Sequence, residues 1–138
     1  MAYDDPNVIE SILRTCSTIA VVGASSKPSR PSYHVFEYMK SHGYSVIPIN
    51  PHETMILGEE VFPSMEAVGT PIDLVDIFRR PEEVLSVVRM AITRKAKAVW
   101  MQEGVINQAA ASLAVSAGLM VVMNRCWMKE HFARSVRG

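Results

Sequence analysis

Short apolar runs alternate along this chain with segments in which the apolar residues recur every three or four positions. The runs are rich in Val and Ile, and most end at Gly, Asn or Arg, which is typical of buried strands. The predicted strands are 18–23, 44–49, 73–78, 98–102 and 119–123. The segments between them have the spacing of amphipathic helices. The pattern therefore predicts a doubly wound α/β fold of about five parallel strands, flanked by helices and joined by right-handed crossovers.

Residues that favour helix ends mark several of the predicted helices. Asp5 followed by Pro6 is typical of a helix start, and Asn107 is placed to cap a later helix. Gly43 and Gly118 are predicted to end helices. The helices are expected after Pro6, at about 32–42, at about 82–94, after Asn107 and at about 127–135. Glu130 and His131 are expected on an exposed face of the last one.

Residues 51–71 have no clear period. We expect a loop over 52–58, a short extended piece at 60–62 and a short helix at 64–68. Pro48 has no N–H to donate, so its strand should lie at an edge of the sheet, unless Pro48 merely marks the strand end.

The carboxyl ends of parallel strands meet at one edge of a sheet, and ligands bind beyond that edge. The residues that follow the five predicted strands are rich in Arg, Asn, Gln and Gly. They are Gly23-Ala24-Ser25, Asn50-Pro51, Phe78-Arg79-Arg80-Pro81, Gln102-Glu103-Gly104 and Asn124-Arg125-Cys126. Five separate stretches are therefore expected to converge on one binding site.

The turn after the first strand has the composition of a phosphate-binding corner. Gly23 and Ala24 allow the backbone to approach a ligand closely. Free N–H groups at the start of the next helix would face an anion, and Lys27 and Arg30 supply positive charge. The alternative is an ordinary strand-to-helix turn without a ligand.

The nucleotide expected here differs from NAD and from a hydrolysed ATP. A dinucleotide fingerprint would need glycines where Ser25 and Pro28 stand, and Asn50-Pro51 replaces the acid that holds an NAD ribose. The chain also has no GxxxxGK[ST] motif. With Arg79 and Arg80 added to the two cations of the first turn, we expect a ligand with more phosphate charge than NAD.

Composition limits the remaining possibilities. The 138 residues are long enough for one domain, 1–138, and 14 basic residues balance 14 acidic ones, so no overall field attracts nucleic acid. No apolar run has the length of a membrane span, and the acidic N-terminus lacks the features of a signal peptide. The two cysteines are far apart and the four histidines lack metal-site spacing. We therefore expect a cytoplasmic protein without a metal.

Several blocks of the sequence, in this order, resemble the small CoA-binding proteins. The blocks are Ile19-Ala20-Val21-Val22-Gly23-Ala24-Ser25, Arg30-Pro31-Ser32-Tyr33, 43–51, 73–83, 96–102, 104–107 and 121–126. The resemblance covers about 17–131 and extends to the CoA-binding domain of the succinyl-CoA synthetase α subunit. It implies a Rossmann-like domain that binds CoA or an acyl-CoA. The sequence differs from the family pattern at Glu103, Asn124 and Trp127-Met128.

The resemblance also implies a placement of the ligand. Residues 23–26, which include Ser26, would approach the CoA diphosphate, with Lys27 or Arg30 neutralising it. Asn50-Pro51 and residues 78–81 would line the nucleotide cleft. Gln102-Glu103-Gly104 would border the adenine or the pantetheine. Arg suits the geometry of phosphate and Lys supplies a point charge, but the sequence does not assign each cation to a phosphate.

Three functions are compatible with these features. The first is reversible binding of CoA or acyl-CoA without catalysis. The second is an acyl-CoA-dependent transferase or an NAD(P)-linked enzyme, for which Glu103 and Cys126 are the local acid–base candidates. The third is a CoA-binding subunit that docks onto separate synthetase domains; a homo-oligomer is also possible.

Cys126 has two interpretations. It is either a small residue of the rim or a thiol able to form a mixed disulfide with CoA, in which case the neighbouring Arg125 would favour its thiolate form.

Overall fold

Five parallel strands form the central sheet of the computed structural model, which describes residues 1–136. These residues contain seven strands in all: β1 (Thr18–Val22), β2 (Ser45–Ile49), β3 (Met55–Ile56), β4 (Glu59–Glu60), β5 (Leu74–Ile77), β6 (Ala98–Met101) and β7 (Met120–Met123). The sheet order is β2-β1-β5-β6-β7, with β3 and β4 paired separately. The predicted α/β fold and its five long strands are confirmed.

Within residues 1–136, five helices flank the sheet. They are α1 (Pro6–Thr15), α2 (Pro31–Ser41), α3 (Val84–Thr93), α4 (Gln108–Ser116) and α5 (Trp127–Val136). Both predicted caps form: the Asn7 N–H donates to the Asp5 carboxylate at 2.8 Å, and the Ala110 N–H donates to the Asn107 side chain at 3.0 Å. The helix predicted over 82–94 starts with a separate 3₁₀ turn, Pro81–Glu83, before α3. No described helix is long and apolar enough to cross a membrane.

The segment after β2 is more ordered than predicted. The expected loop over 52–58 contains β3, which pairs with β4 around Leu57 and Gly58, both at positive φ. The short strand forms because Ile56 is buried against the core, a tertiary contact that no local period reveals. Another 3₁₀ turn, Met65–Ala67, stands where a short helix was expected.

Strand β2 is an edge strand, which is one of the two positions that the missing N–H of Pro48 predicted. On its outer side the Phe62 N–H donates to the Pro48 carbonyl at 3.0 Å, and the Asn50 N–H donates to the Phe62 carbonyl at 3.0 Å. Phe62 thus covers part of the edge, and the missing N–H of Pro48 lies on the side without a full strand.

Apolar residues on the two faces of the sheet form two cores. One face packs on α3 and α4 through residues such as Val88 and Ala114. The other packs on α1, α2 and α5 through Ile12, Phe36 and Trp127, all completely buried. Truncating a buried aromatic such as Phe36 would cost about 3–5 kcal/mol. These two layers hold the sheet rigid, so the loops at its carboxyl edge are carried on a fixed frame.

Candidate functional site

A cleft of about 1100 Å³ lies at the carboxyl edge of the sheet. It spans the point between β1 and β5 where the strand order reverses, which is the place where open α/β sheets bind ligands. Twelve of the sequence-predicted residues line it: Gly23, Ala24, Ser25, Lys27, Arg30, Asn50, Phe78, Arg79, Arg80, Gln102, Glu103 and Cys126. Four others, Ser26, Pro51, Pro81 and Gly104, belong to the same turns but do not line the cleft.

Gly23 is required by the close approach of two strand ends. Its φ is +90°, and a Cβ at this position would overlap the backbone carbonyl of Phe78. The turn is tied to the neighbouring strand because the Gly23 and Ala24 N–H groups both donate to the Ile49 carbonyl, at 3.0 and 3.3 Å. A side chain at 23 would therefore push apart the ends of β1 and β5, on which the cleft is built.

Asn50 fixes the end of β2 against this turn. Its side-chain N–H donates to the Ala24 carbonyl at 2.8 Å, and its side-chain oxygen accepts from the His52 N–H at 2.7 Å. Both the nitrogen and the oxygen of the Asn50 side chain thus form hydrogen bonds within the protein. The chain after Asn50 is held beside the turn, which brings Glu53 to the cleft.

The cleft has two halves, the first at the ends of β1 and β5 and the second at the ends of β6 and β7. The first half carries most of the positive charge that has no ion-pair partner among the described residues. Lys27, Arg30 and Arg80 are exposed and make no ion pair within residues 1–136. Arg79 is different, because its guanidinium lies 2.8 Å from a Glu83 carboxylate oxygen. That hydrogen bond lowers the pKa of Glu83. Three of the four predicted cations are therefore free to meet an anion.

The second half of the cleft is held by internal polar contacts. The side-chain oxygen of the buried Gln102 accepts a hydrogen bond from the backbone N–H of Trp127 at 3.1 Å. This bond attaches the start of α5 to the end of β6. Lys129 lies 3.0 Å from the Glu103 carboxylate, and this hydrogen bond raises the pKa of Lys129. Charge in this half is compensated within the wall.

Cys126 lines this second half and is 7% exposed. The predicted influence of Arg125 on its thiol is not supported by the contacts, because the Arg125 guanidinium lies 2.7 Å from Asp4. Lys129 is a cation that shares the cleft wall with Cys126. Cys16, the other cysteine, is buried beneath the N-terminal helix, and burial raises its pKa.

Ten residues of the cleft wall were not predicted from the sequence: Pro31, Ser32, His34, Val35, His52, Glu53, Glu83, Val105, Met128 and Lys129. Most of them lie near helix starts. Since α2 and α5 both begin at the carboxyl edge, their first turns could have been included by the same topological argument. Glu53 has no such signal, because it belongs to the irregular segment whose path only the fold defines.

Asp76 is completely buried in the middle strand β5. Burial raises the pKa of its carboxyl well above the usual range, and the nearby Ile77 N–H acts in the opposite sense. Asp76 belongs to the core below the cleft and not to its wall.

Behind the start of α5 lies an aromatic cluster, defined here as Tyr38, His42, Tyr44, Trp127 and His131. His131 stacks on Trp127 with ring centroids 5.1 Å apart, and the Tyr38 hydroxyl lies 2.8 Å from its Nδ1. Burial lowers the pKa of His131, and His42 adds to the effect. The expected exposed face at Glu130 and His131 is therefore wrong, because both residues are half-buried. His131 packs on Trp127 and on Tyr38 of α2, and the Glu130 carboxylate lies 3.1 Å from Arg134.

The described residues contain no group of three or more His, Cys, Asp or Glu side chains that could hold a metal ion. Their chemistry at the cleft is that of an anion site: backbone N–H groups, cations and a narrow glycine turn.

Comparison with known proteins agrees with this geometry. A family model described as a CoA binding domain matches residues 17–132. The uncharacterized protein YneT of Bacillus subtilis is 35% identical over 123 residues, which are 89% of this chain and 91% of that protein.

Solved structures show the same fold. A hypothetical protein from Pyrococcus horikoshii is 40% identical and has a TM-score of 0.89, with 93% of this chain and 90% of that chain covered. A dinucleotide-forming acetyl-coenzyme A synthetase from Ca. Korarchaeum cryptofilum is 28% identical with a TM-score of 0.73. That match covers 83% of this chain but 27% of the synthetase chain.

Proposed function

The chain belongs to the CoA-binding domain family over residues 17–132, and from this premise we propose that it binds CoA or an acyl-CoA reversibly in the cleft, without catalysis of its own. The observation that carries the proposal is the group of three cations, Lys27, Arg30 and Arg80, which line the cleft around the glycine turn and make no ion pair within residues 1–136. CoA carries a diphosphate and a ribose 3′-phosphate, so its charge matches that half of the cleft.

We place the diphosphate at the turn of residues 23–26. The contact at Gly23 leaves no room for a side chain between the strand ends, so the backbone itself forms the floor there. Lys27 and Arg30 follow directly and neutralise the phosphates. Pro51 and Pro81, which do not line the cleft, shape the adjoining turns rather than contact the ligand.

The 3′-phosphate has Arg80 as its natural partner. Arg79 is already paired with Glu83, whereas the guanidinium of Arg80 has no ion-pair partner among the described residues. A guanidinium can donate two parallel hydrogen bonds to a phosphate, which adds geometric selectivity to charge.

The pantetheine extends into the second half of the cleft. There Val105 and Met128 offer apolar contact. Because Glu103 and Lys129 neutralise each other, the wall has little net charge, which suits the uncharged pantetheine chain. Gly104, whose N–H donates to the Asn124 side chain at 2.8 Å, stabilises this edge without lining it. The thiol or acyl end then lies towards Cys126.

A second candidate is a CoA-binding subunit that acts with separate synthetase domains. It is favoured by the match to the acetyl-coenzyme A synthetase, which is confined to 27% of that chain. This candidate uses the same cleft and adds a protein partner. Purification of the tagged protein from its native host, followed by identification of co-purified subunits, distinguishes the two: a stoichiometric synthetase-like partner supports the second candidate, and an isolated protein supports the first.

Native mass spectrometry of the freshly purified protein tests the ligand directly. A retained mass of CoA, or of one acyl-CoA, supports the proposal and identifies the acyl group. Calorimetry with CoA, 3′-dephospho-CoA and NAD provides the affinities. We expect the order CoA, then 3′-dephospho-CoA, then NAD. NAD binding as tightly as CoA would refute the proposal.

A further inference from the structure

A carboxylate of the protein itself occupies the turn that we assign to phosphate. The Ser26 N–H donates to both carboxylate oxygens of Glu53, at 3.0 and 3.2 Å. We propose that Glu53 is an internal competitor of the ligand's phosphate and thereby sets how strongly anionic a ligand must be to bind. This inference rests on the proposed function.

The manner in which Glu53 is held resembles that of an anionic ligand. Its carboxylate accepts a backbone N–H of the turn, and it forms no ion pair with Lys27 or Arg30 among the contacts of residues 1–136. Charge-assisted hydrogen bonds from backbone N–H groups are how such turns bind phosphate. Glu53 itself lines the cleft, so the carboxylate that the Ser26 N–H holds places a negative charge in the wall and leaves the cations free to attract the ligand.

Displacement of the carboxylate requires only a side-chain movement. The backbone before Glu53 is fixed, because Asn50 donates to the Ala24 carbonyl and accepts from the His52 N–H. Glu53 itself is half-buried, so its side chain has solvent beside it. Rotation about its side-chain bonds releases the Ser26 N–H without any change in the fold.

The competition favours highly charged ligands. A phosphate group carries at least as much charge as a carboxylate and has more acceptor oxygens, so a diphosphate that also meets Lys27 and Arg30 displaces Glu53. A ligand with a single weak anionic group gains too little from the cations to do so. Glu53 is thus a specificity-determining residue in the first half of the cleft.

Glu53→Gln tests the inference, since the amide keeps the size of the side chain but loses its charge. The matched control is Glu60→Gln, which makes the same charge change at an exposed residue of β4 outside the cleft. Calorimetry would use CoA and, separately, inorganic pyrophosphate. We expect Glu53→Gln to bind both about tenfold more tightly than the unchanged protein, a factor typical of one charge-assisted hydrogen bond, and Glu60→Gln to bind them as the unchanged protein does.

The two ligands separate the inference from the function on which it rests. If pyrophosphate binds Glu53→Gln more tightly but no variant binds CoA, the competitor role holds and the proposed function fails. If the unchanged protein binds CoA and Glu53→Gln binds it equally or more weakly, the function holds and the competitor role is overturned. An equal gain in Glu60→Gln would also overturn it, because the effect would then be one of overall charge.

Discussion

The two halves of the cleft are built on the same sheet edge but treat charge in opposite ways. In the first half, at the ends of β1 and β5, Lys27, Arg30 and Arg80 are unpaired within the described residues. In the second half, at the ends of β6 and β7, Lys129 is paired with Glu103, and Arg125 beside this half is paired with Asp4 outside the cleft wall. The comparison teaches that counting cations along a rim is not enough to locate an anion site, because an internally paired cation offers little to a ligand.

The largest effect is expected at the floor of the first half. Gly23→Ala combines a strained positive φ with an overlap on the Phe78 carbonyl, so it should destabilise the fold by about 3 kcal/mol and abolish measurable CoA binding. Gly118→Ala is the matched control: its φ is +89° but nothing lies within 4 Å of the added Cβ. It should cost about 1–2 kcal/mol of backbone strain and leave binding intact. Chemical denaturation and calorimetry measure both. Equal losses in the two variants would mean that strain alone, and not the close approach, matters at Gly23.

Removing one cation from each half compares them directly. Arg80→Ala should lose a charge-assisted hydrogen bond, about 1.5–3 kcal/mol or at least tenfold in CoA affinity. Lys129→Ala removes the same charge from a solvent-exposed pair and should leave the affinity for CoA nearly unchanged. Arg79→Ala should weaken CoA binding indirectly, because it leaves the Glu83 carboxylate unpaired in the cleft.

Calorimetry with 3′-dephospho-CoA assigns the phosphate. If Arg80 meets the 3′-phosphate, the Arg80→Ala loss shrinks or vanishes with this ligand. Should Lys129→Ala weaken CoA as much as Arg80→Ala, the contrast between the two halves would be incorrect.

Acid should lower the free energy of unfolding through His131 of the aromatic cluster. The folded-state pKa of His131 lies below its ordinary value of 6.5, so the unfolded chain takes up the proton first as the pH falls. The stability contributed by neutral His131 is complete above pH 6.5 and is lost progressively as the pH drops from there through the folded-state pKa. The titratable groups around it are Glu10, Arg14, Tyr38, His42, Tyr44 and Arg134.

The free energy of unfolding at about pH 7.5 and about pH 5 measures this effect. His131→Gln should reduce the difference between the free energies of unfolding at the two pH values. His52→Gln, which replaces an exposed histidine of the first half, should leave it unchanged. An unaltered pH dependence in His131→Gln would exclude His131 as its source.

The smallest effect on affinity is expected at Cys126. In CoA disulfide, attack by the Cys126 thiolate breaks the S–S bond of the reagent, forms a protein–CoA disulfide and releases one CoA thiolate. Mass spectrometry should find one added CoA, reversible by reductant. Cys126→Ser should abolish the adduct and leave reversible CoA binding nearly unchanged, because we assign the phosphates to the other half of the cleft. An adduct at the buried Cys16, or none, would make Cys126 a structural residue of the rim.

The order of strands and helices was predictable from the sequence because it depends on local signals. Buried parallel strands appear as continuous apolar runs, and caps such as Asp5 and Asn107 mark helix starts with their own side chains. The rim residues followed from topology alone, since parallel strands must bring their carboxyl ends to one edge. The identity of the family followed from the same residues, and the family match over 17–132 confirms it.

Which of these residues are available to a ligand was decided by folded geometry, partly local and partly tertiary. Arg79 and Arg80 are adjacent and chemically identical in the sequence, yet Arg79 meets Glu83, four residues on, because the 3₁₀ turn at 81–83 places that carboxylate beside it. The other two pairings are tertiary. Glu53 reaches the Ser26 N–H across 27 positions of sequence, and Lys129 reaches Glu103 across 26. Pairing of this kind depends on distances in space between segments remote in the chain, and neither period nor composition carries that information.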